Sequence, residues 1–400
     1  MKILFLLNIG FESHTTSEHL LSAVIEQLAN AGHYVHVIQM VSSESKLVLP
    51  EILRDYGVTT DGVLNRAPKK SSFISRYLNA IHYYWKCRSL LKVQKDVDAV
   101  FLQSTNVAGI VVWLTRKYLK NAKVIYNVQD IFPYNALFSG IIKKNSIVFK
   151  ILAFIQRYGY KHSDKIITIS EDMKDTLVAD GINGNKIEVI YNWSYQDRAY
   201  ENLDLTLVDN IFNKEYFNVV YAGNIGVMQN VDVLIESANI IKNEKSVWFH
   251  IIGNGVNKEK LELRAKEYGI TNISFWEMQP PDLAPYIYSA ADVNVIPLVK
   301  GVYRTAMPSK TATCLACQKP IILAIGKESR YGQKLVKEAD CQLVEADDPE
   351  ELVNAIKKIQ KKQFCKMMMM GSFYNTYCSK TLNSRKYTDI ITGDSKYWLV

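Results

Sequence analysis

Four short stretches of the 400-residue chain gather residues that bind or move charge. In GVYRTAMPSKTATCLACQKP (301–320), Arg304 and Lys310 flank a Pro308–Ser309 step with the composition of a helix start, and Ser309 is placed to cap it. A helix start offers free amide donors and partial positive charge, so cations there raise a potential that an anion would relieve. The pattern fits a phosphate site, and it fits equally well two cations that reach solvent. In YAGNIGVMQNVD (221–232), Gly223, Asn224 and Gly226 follow an apolar run and precede a helix-like stretch, an arrangement in which backbone amides can face phosphate. The spacing is not G-x-G-x-x-G, which argues against a dinucleotide, and a plain strand-to-helix turn is the alternative. Gly253 and Gly255 in IIGNG serve either a ligand or close strand–helix packing. Gln129 and Asp130 end the apolar run of YNVQDIFPYN, where they would face a ligand or, in the case of Asp130, cap a turn before Pro133.

These residues need a scaffold that presents strand ends. KILFLLN (2–8), HYVHVIQM (33–40), DAVFLQS (98–104), KVIYNVQD (123–130), KIITIS (165–170) and KIEVIYN (186–192) are short apolar runs separated by helix-like segments such as EHLLSAVIEQLANAG. Continuous apolar strands alternating with helices predict an open parallel sheet covered on both faces. After a polar segment at about 195–215 the alternation restarts with FNVVYAGNIG (217–226), SVWFHIIGNG (246–255), NISFWEM, DVNVIPL and PIILAIG. The fold class is therefore α/β, with two Rossmann-like domains whose parallel sheets face a central cleft. The expected domains are 1–200 and 216–378, with a last helix in SKTLNSRKYTDIIT. Ligands of such sheets bind at strand carboxyl ends, which suits transfer of a group from a nucleotide-activated donor to a separate acceptor.

Composition limits the remaining classes. Nearly half of the residues are apolar and 22% are charged, a globular balance. The formal net charge of +8 favours an anionic partner: nucleotide phosphate, nucleic acid or an acidic membrane. Nothing resembles a module that reads nucleic acid. The six scattered cysteines read as reduced thiols, and Cys314-x-x-Cys317 reads as a pair of buried small residues. The single Lys and short apolar run of MKILFLLNIG fit a buried strand better than a signal peptide, and VAGIVVWL (107–114) is too short to span a bilayer. The expected location is cytoplasmic, with membrane contact from the surface. Segment 71–95 mixes Phe73, Tyr77, Ile81, Tyr84 and Trp85 at roughly helical spacing with Arg76, Lys86 and Arg88. It could lie in a membrane interface or bury its aromatic face beneath a solvated basic one. His14 stands in the loop after the first strand and would face the cleft; no metal-ligand spacing surrounds it.

In order and spacing, KILFLLN with its loop, YNVQDIFP, KIITISEDMKDTLVADGI with NKIEVIYNW, YAGNIGVMQNVD, FHIIGNG and MPSKTATCLACQKPIILA resemble family 4 of the retaining glycosyltransferases. That family has the two-domain B-type fold (GT-B), and the likeness is greatest to the bacterial branch that builds capsule, exopolysaccharide or O-antigen. The resemblance implies an N-terminal acceptor domain and a C-terminal domain for a nucleotide sugar, usually a UDP-sugar. It implies retention at the anomeric carbon and no required metal or other cofactor. The implied acceptor is a polyprenyl-diphosphate-linked glycan at the inner face of the plasma membrane, on the side of His14, Arg76, Lys86 and Arg88. It also implies that residues about 380–400 cross back to the first domain. Carried over residue by residue, Asp130, Gln129 and Lys310 take catalytic roles, and Gly223, Asn224, Gly226, Gly253, Gly255, Arg304, Thr305, Ser309 and Thr313 bind the donor. The chain departs from the family at Thr305 and Thr313, which stand where many members have a Glu-x7-Glu pair. Gln229 replaces a Lys, and Gln129 replaces a His. A nucleotide-sugar epimerase of the same fold and a non-catalytic partner of another transferase are the alternative readings.

Overall fold

Ile3 through Leu7 are all buried, as expected for a strand sealed on both faces, and this strand starts a seven-stranded parallel sheet. The computed structural model describes residues 1–13, 18–65, 73–361 and 367–394, so His14 lies outside the described residues. The strands of the first sheet are β1 (Lys2–Leu7), β2 (Tyr34–Val41), β3 (Thr59–Leu64), β4 (Ala99–Gln103), β5 (Lys123–Val128), β6 (Lys165–Thr168) and β7 (Ile187–Val189). They pair in the order β3-β2-β1-β4-β5-β6-β7, every neighbour parallel. The second sheet contains β8 (Phe217–Ala222), β9 (Val247–Ile252), β10 (Ile273–Trp276), β11 (Val293–Pro297), β12 (Ile321–Ala324) and β13 (Gln342–Val344). Its order, β10-β9-β8-β11-β12-β13, is again wholly parallel. In each sheet the order reverses beside the first strand, between β1 and β4 and between β8 and β11, which opens a crevice at the carboxyl ends there.

β3 and β13 escape a reading based on apolar runs. Both are edge strands with half-polar sequences, TTDGVL and QLV, and neither is buried along its length. The strands expected to run into their polar ends stop short: β5 ends at Val128 and β8 at Ala222, leaving Gln129, Asp130 and Gly223 in the loops that follow.

The chain divides into two compact units, Met1–Tyr191 with Lys380–Val400, and Asn192–Ser379. In the first unit the Lys380–Thr392 helix packs on the Glu18–Asn30 helix. Its buried residues are half apolar (Tyr387, Ile390, Ile391) and half polar (Asn383, Ser384, Thr388), so hydrogen bonds help to fix it. Tyr387 Oη donates to Asn127 Oδ1 (3.0 Å), Asn383 Nδ2 donates to Tyr191 O (2.9 Å), and Lys123 Nζ donates to Ile390 O (2.6 Å). In the second unit the polar stretch from Asn192 is tied down by the Met367–Tyr377 helix. Tyr374 Oη accepts from Ser194 N (3.0 Å) and donates to Gln196 O (2.6 Å).

The Ala108–Tyr118 and Ile147–His162 helices of the first unit touch backbone to backbone. A Cβ on Gly109 would lie 2.0 Å from Ile155 O, and one on Gly159 would lie 2.8 Å from the Ala108 carbonyl carbon. Such a crossing cannot admit a methyl group without separating the helices. Gly109→Ala is therefore expected to destabilise the first unit by roughly 2–4 kcal/mol, read as a lower urea midpoint for that unit's transition.

Candidate functional site

The second unit places its chemistry at the switch between β8 and β11. β8 delivers Tyr221 and then Gly223, whose φ of +137° only glycine adopts freely. The loop after β9 crosses directly over it: a Cβ on Gly253 (φ +147°) would lie 1.8 Å from Gly223 O, and one on Gly255 would lie 2.2 Å from Ile225 O. Gly253 and Gly255 are thus needed for a close crossing of two loop backbones. The crossing also engages amides expected to face phosphate, since Gly223 N donates to Ile252 O (2.9 Å) and Ile225 N donates to Asn254 O (2.8 Å). Asn224 Nδ2 donates to Gln229 Oε1 (3.2 Å), so the glutamine that stands in place of a lysine buttresses this turn.

Lys310 comes to the same spot from the Lys310–Ala316 helix. Its Nζ sits 3.7 Å from the centre of the Tyr221 ring and would be 2.8 Å from a Cβ on Gly223. The stem of the side chain is half-buried, but the ammonium itself is sealed from solvent and has no hydrogen-bond partner among the described residues. Burial pulls its pKa from the ordinary lysine range down to about 7. Gly223 is accordingly required twice: for its backbone angle and for the space the ammonium occupies.

The other positions singled out in 301–320 are differently placed. Arg304 is exposed, pairs with Glu328 (2.9 Å) and donates through Nε to Tyr303 Oη (3.2 Å). Ser309 has helical backbone angles and makes no side-chain cap, which corrects the expected capping role; its helix spans only seven residues, too short to act as a strong dipole. Thr305 is buried and donates to Val302 O (3.1 Å), while Thr313 is half-buried on the short helix. Carboxylates do stand near this turn, on other loops. Glu328 follows β12 and Glu345 follows β13, with Glu345 Oε2 3.9 Å from where a Cβ on Gly326 would be and Tyr303 Cε1 3.6 Å from the same point. The sequence signal for both was their place just past a strand, and β13 was too polar to be noticed. Tyr221 was missed because a strand residue carries no mark of what its ring will meet.

The first unit gathers its polar groups at the ends of β1, β4 and β5. Asn8 Nδ2 donates to Ser104 O (3.2 Å), and Asp130 N donates to Ser104 Oγ (3.3 Å). Asn127 Nδ2 donates to Gln103 Oε1 (2.8 Å), while Asn127 Oδ1 accepts from Tyr387 Oη and from Gln129 Nε2 (3.3 Å). Gln129 is therefore oriented by a buried network that ends in the last helix. The Asp130 residue keeps an edge open to solvent, but its carboxyl lies deep beside buried Tyr126 and Tyr160, and this burial raises its pKa to about 6. Arg76, Lys86 and Arg88 are exposed on the Phe73–Val93 helix, which buries Tyr77 and Tyr84 and leaves Trp85 outside. Lys86 Nζ donates to Leu64 O (2.8 Å), and Arg88 stacks on Trp85 at 4.7 Å.

Cys87, Cys314, Cys317, Cys341 and Cys378 are buried free thiols, and burial pushes Cys317 up to about 12, which removes it from thiolate chemistry at neutral pH. Among the described residues no group of three or more His, Cys, Asp or Glu side chains converges as a metal site would require, and no helix is long and apolar enough to cross a membrane.

Comparisons with known proteins agree with this layout. The profile of Glycosyltransferase Family 4 matches residues 17–193, and that of Glycosyl transferases group 1 matches residues 216–362. Pseudomonas aeruginosa WbjE, named as a glycosyltransferase, is 25% identical over 264 residues, 64% of this chain and 65% of that protein. Escherichia coli (strain K12) WcaI, named for glycosyl transfer in colanic acid biosynthesis, is 26% identical over 226 residues, 54% of each chain. The matches span less than two thirds of either relative's length. Among solved structures, Anabaena Alr3699/HepE in complex with UDP and glucose is similar with a TM-score of 0.72 at 13% identity, over 98% of this chain and 99% of that one. WaaG, a glycosyltransferase involved in lipopolysaccharide biosynthesis, gives 0.70 at 14% identity, over 98% and 100%. At these identities the structures establish the fold.

The raised pKa of Asp130 makes a stability prediction. Between the unfolded value near 4 and the folded value near 6 the native state binds more protons, so this group lowers stability as pH rises through that window. Asp130→Asn should abolish this contribution and melt a few degrees higher than wild type at pH 7.5, with the two converging toward pH 4, followed by scanning calorimetry.

Proposed function

The chain belongs to the family 4 glycosyltransferases of the two-domain GT-B fold, and from that premise we propose that it transfers a sugar from a nucleotide sugar to a hydroxyl of a glycan acceptor in bacterial surface-polysaccharide synthesis. One observation carries the reading: a buried ammonium, Lys310, with no hydrogen-bond partner among the described residues, at the switch point of the second sheet. A cation in that setting is costly unless an anion joins it, and the anion released by a nucleotide-sugar donor is a diphosphate. The UDP in the Anabaena complex and the polysaccharide roles in the names of WcaI and WaaG favour a UDP-sugar and a surface glycan.

In this proposal the second unit holds the donor. Lys310 meets the negative charge that grows on the diphosphate as the glycosidic bond breaks, and the Gly223–Gly226 turn lets the phosphates approach the backbone. Glu328 and Glu345 are the nearest candidates to accept from ribose or sugar hydroxyls, since Thr305 and Thr313 offer no carboxylate. The first unit takes the acceptor, with Asp130 engaging the acceptor hydroxyl and Gln129 held in place by Asn127. Retention at the anomeric carbon and a lipid-diphosphate-linked acceptor complete the proposal.

Lys310→Ala should lower turnover by about 10²–10³-fold while melting at or above the wild-type temperature, since the variant loses a poorly solvated charge. Turnover by discontinuous assay of released UDP, with acceptor and without it, checks this; wild-type rates in the variant would overturn the role, and epimer formed from donor alone would overturn transfer. The pH dependence has a definite sign. If a diphosphate restores an ordinary pKa to Lys310, binding takes up a proton above pH 7. The dissociation constant of UDP should then rise with pH, by up to about tenfold per unit between pH 7 and 9. Calorimetry should show this slope in wild type and a flat response in Lys310→Met.

A further inference from the structure

From Ile131 through Ser163 the chain contains no Asp or Glu but five cations: Lys143, Lys144, Lys150, Arg157 and Lys161. The centre of this stretch is the Ile147–His162 helix of the first unit. Its inner side is fully employed: Phe149, Gln156, Gly159 and Tyr160 are buried, and Gly159 meets the neighbouring helix at backbone distance. Its outer side is not polar, as it would be on an ordinary solvated helix. Ile147 is 76% exposed, Ile151 53% and Phe154 72%, and they recur at i, i+4 and i+7, a single stripe along one face. Val148 beside them and Ile141 just before the helix are also exposed.

Lys150, Arg157 and Lys161 stand at i+3, i+10 and i+14 of the same helix, a basic row along one flank of the stripe. All three are exposed; Arg157 is partly answered by Asp180, which packs near it. A helix whose apolar face points outward and is edged by lysine and arginine has the build of an interfacial element, in which apolar side chains enter the acyl boundary and cations meet anionic headgroups. The adjoining Ala108–Tyr118 helix adds an exposed Trp113 with Lys117 stacked on it at 4.9 Å, an amphipathic pair of the type that settles at headgroup level.

We propose that the Ile147/Ile151/Phe154 stripe, with its basic flank, docks the first unit on an anionic lipid bilayer. The charge pattern selects this occupant over another protein copy, because two such surfaces brought together would repel through their cations. The surface differs from the Phe73–Val93 helix, for which the sequence leaves a membrane interface or a core-facing role open and whose aromatic residues Tyr77, Tyr83 and Tyr84 are committed to the core. Its purpose rests on the lipid-linked acceptor reading, but docking can be measured on vesicles that carry no acceptor.

The test is co-sedimentation of the full chain with phosphatidylcholine vesicles, with and without about 30% phosphatidylglycerol. The expected result is binding to anionic vesicles only, lost toward about 0.5 M salt, and weakened about tenfold or more by Ile151→Ser with Phe154→Ser. Both residues are exposed, so the variant should melt as wild type does. Leu78→Ser with Trp85→Ser, on the other helix, should bind as wild type. Wild type that stays in the supernatant, an Ile151/Phe154 variant that binds normally, loss of binding in the Leu78/Trp85 variant alone, or a wild-type dimer in sedimentation equilibrium that the Ile151/Phe154 variant dissociates would each overturn the proposal. UDP release with a water-soluble acceptor, measured separately, tells whether the transferase reading stands when docking fails.

Discussion

A parallel sheet covered on both faces tolerates a polar side chain within a strand only when a neighbour satisfies it, as Asn218 does for His250, so groups free to meet a ligand gather at the strand ends in both units of this chain. β1 is sealed from Ile3 to Leu7, and the first groups able to act on a ligand come just beyond β1, β4 and β5 as Asn8, Ser104, Gln129 and Asp130. β8 is likewise sealed and opens into Gly223. The strand order adds a second restriction: only where it reverses is there room for a ligand between the loops. The chemistry is concentrated because polar groups elsewhere in the sheets are already spent on one another.

Within that confinement Lys310 is the least comfortable group. Holding an ammonium at about 7 rather than near 10.5 costs the folded chain roughly 5 kcal/mol. The face of the Tyr221 ring favours the charged amine but does not replace the lost water, which leaves a standing preference for an anion. Arg304 illustrates the contrast: it is exposed, already paired with Glu328, and has little to gain from a further partner. Sequence proximity grouped the two cations, but solvent access separates them.

The architecture was legible because apolar runs and helical segments alternate strictly, and this pattern is the direct imprint of a doubly covered sheet. What failed were the edges, where β3 and β13 need no continuous apolar run. At the site, Gly223 and Lys310 could be read from residue type, and their convergence could not, because 87 positions separate them along the chain. Ser309 was misread since a Pro-Ser step signals a cap only when the serine leaves the helical conformation, and here it does not. The network from Gln103 through Asn127 to Tyr387 was invisible for a similar reason: hydrogen-bond partners on remote segments leave no periodicity in either one.

The Lys380–Thr392 helix has a consequence for the order of assembly. Residues 192–379 form one unit inserted within the chain of the other. As the polypeptide emerges from the ribosome, the inserted unit has all of its residues before the first unit has its last helix. Until then Asn127 lacks its tyrosine partner and the face of the Glu18–Asn30 helix lacks its cover. The unit that begins the chain is thus the last to be completed, and Gln129, which leans on Asn127, reaches its final setting only when nearly the whole protein has been made.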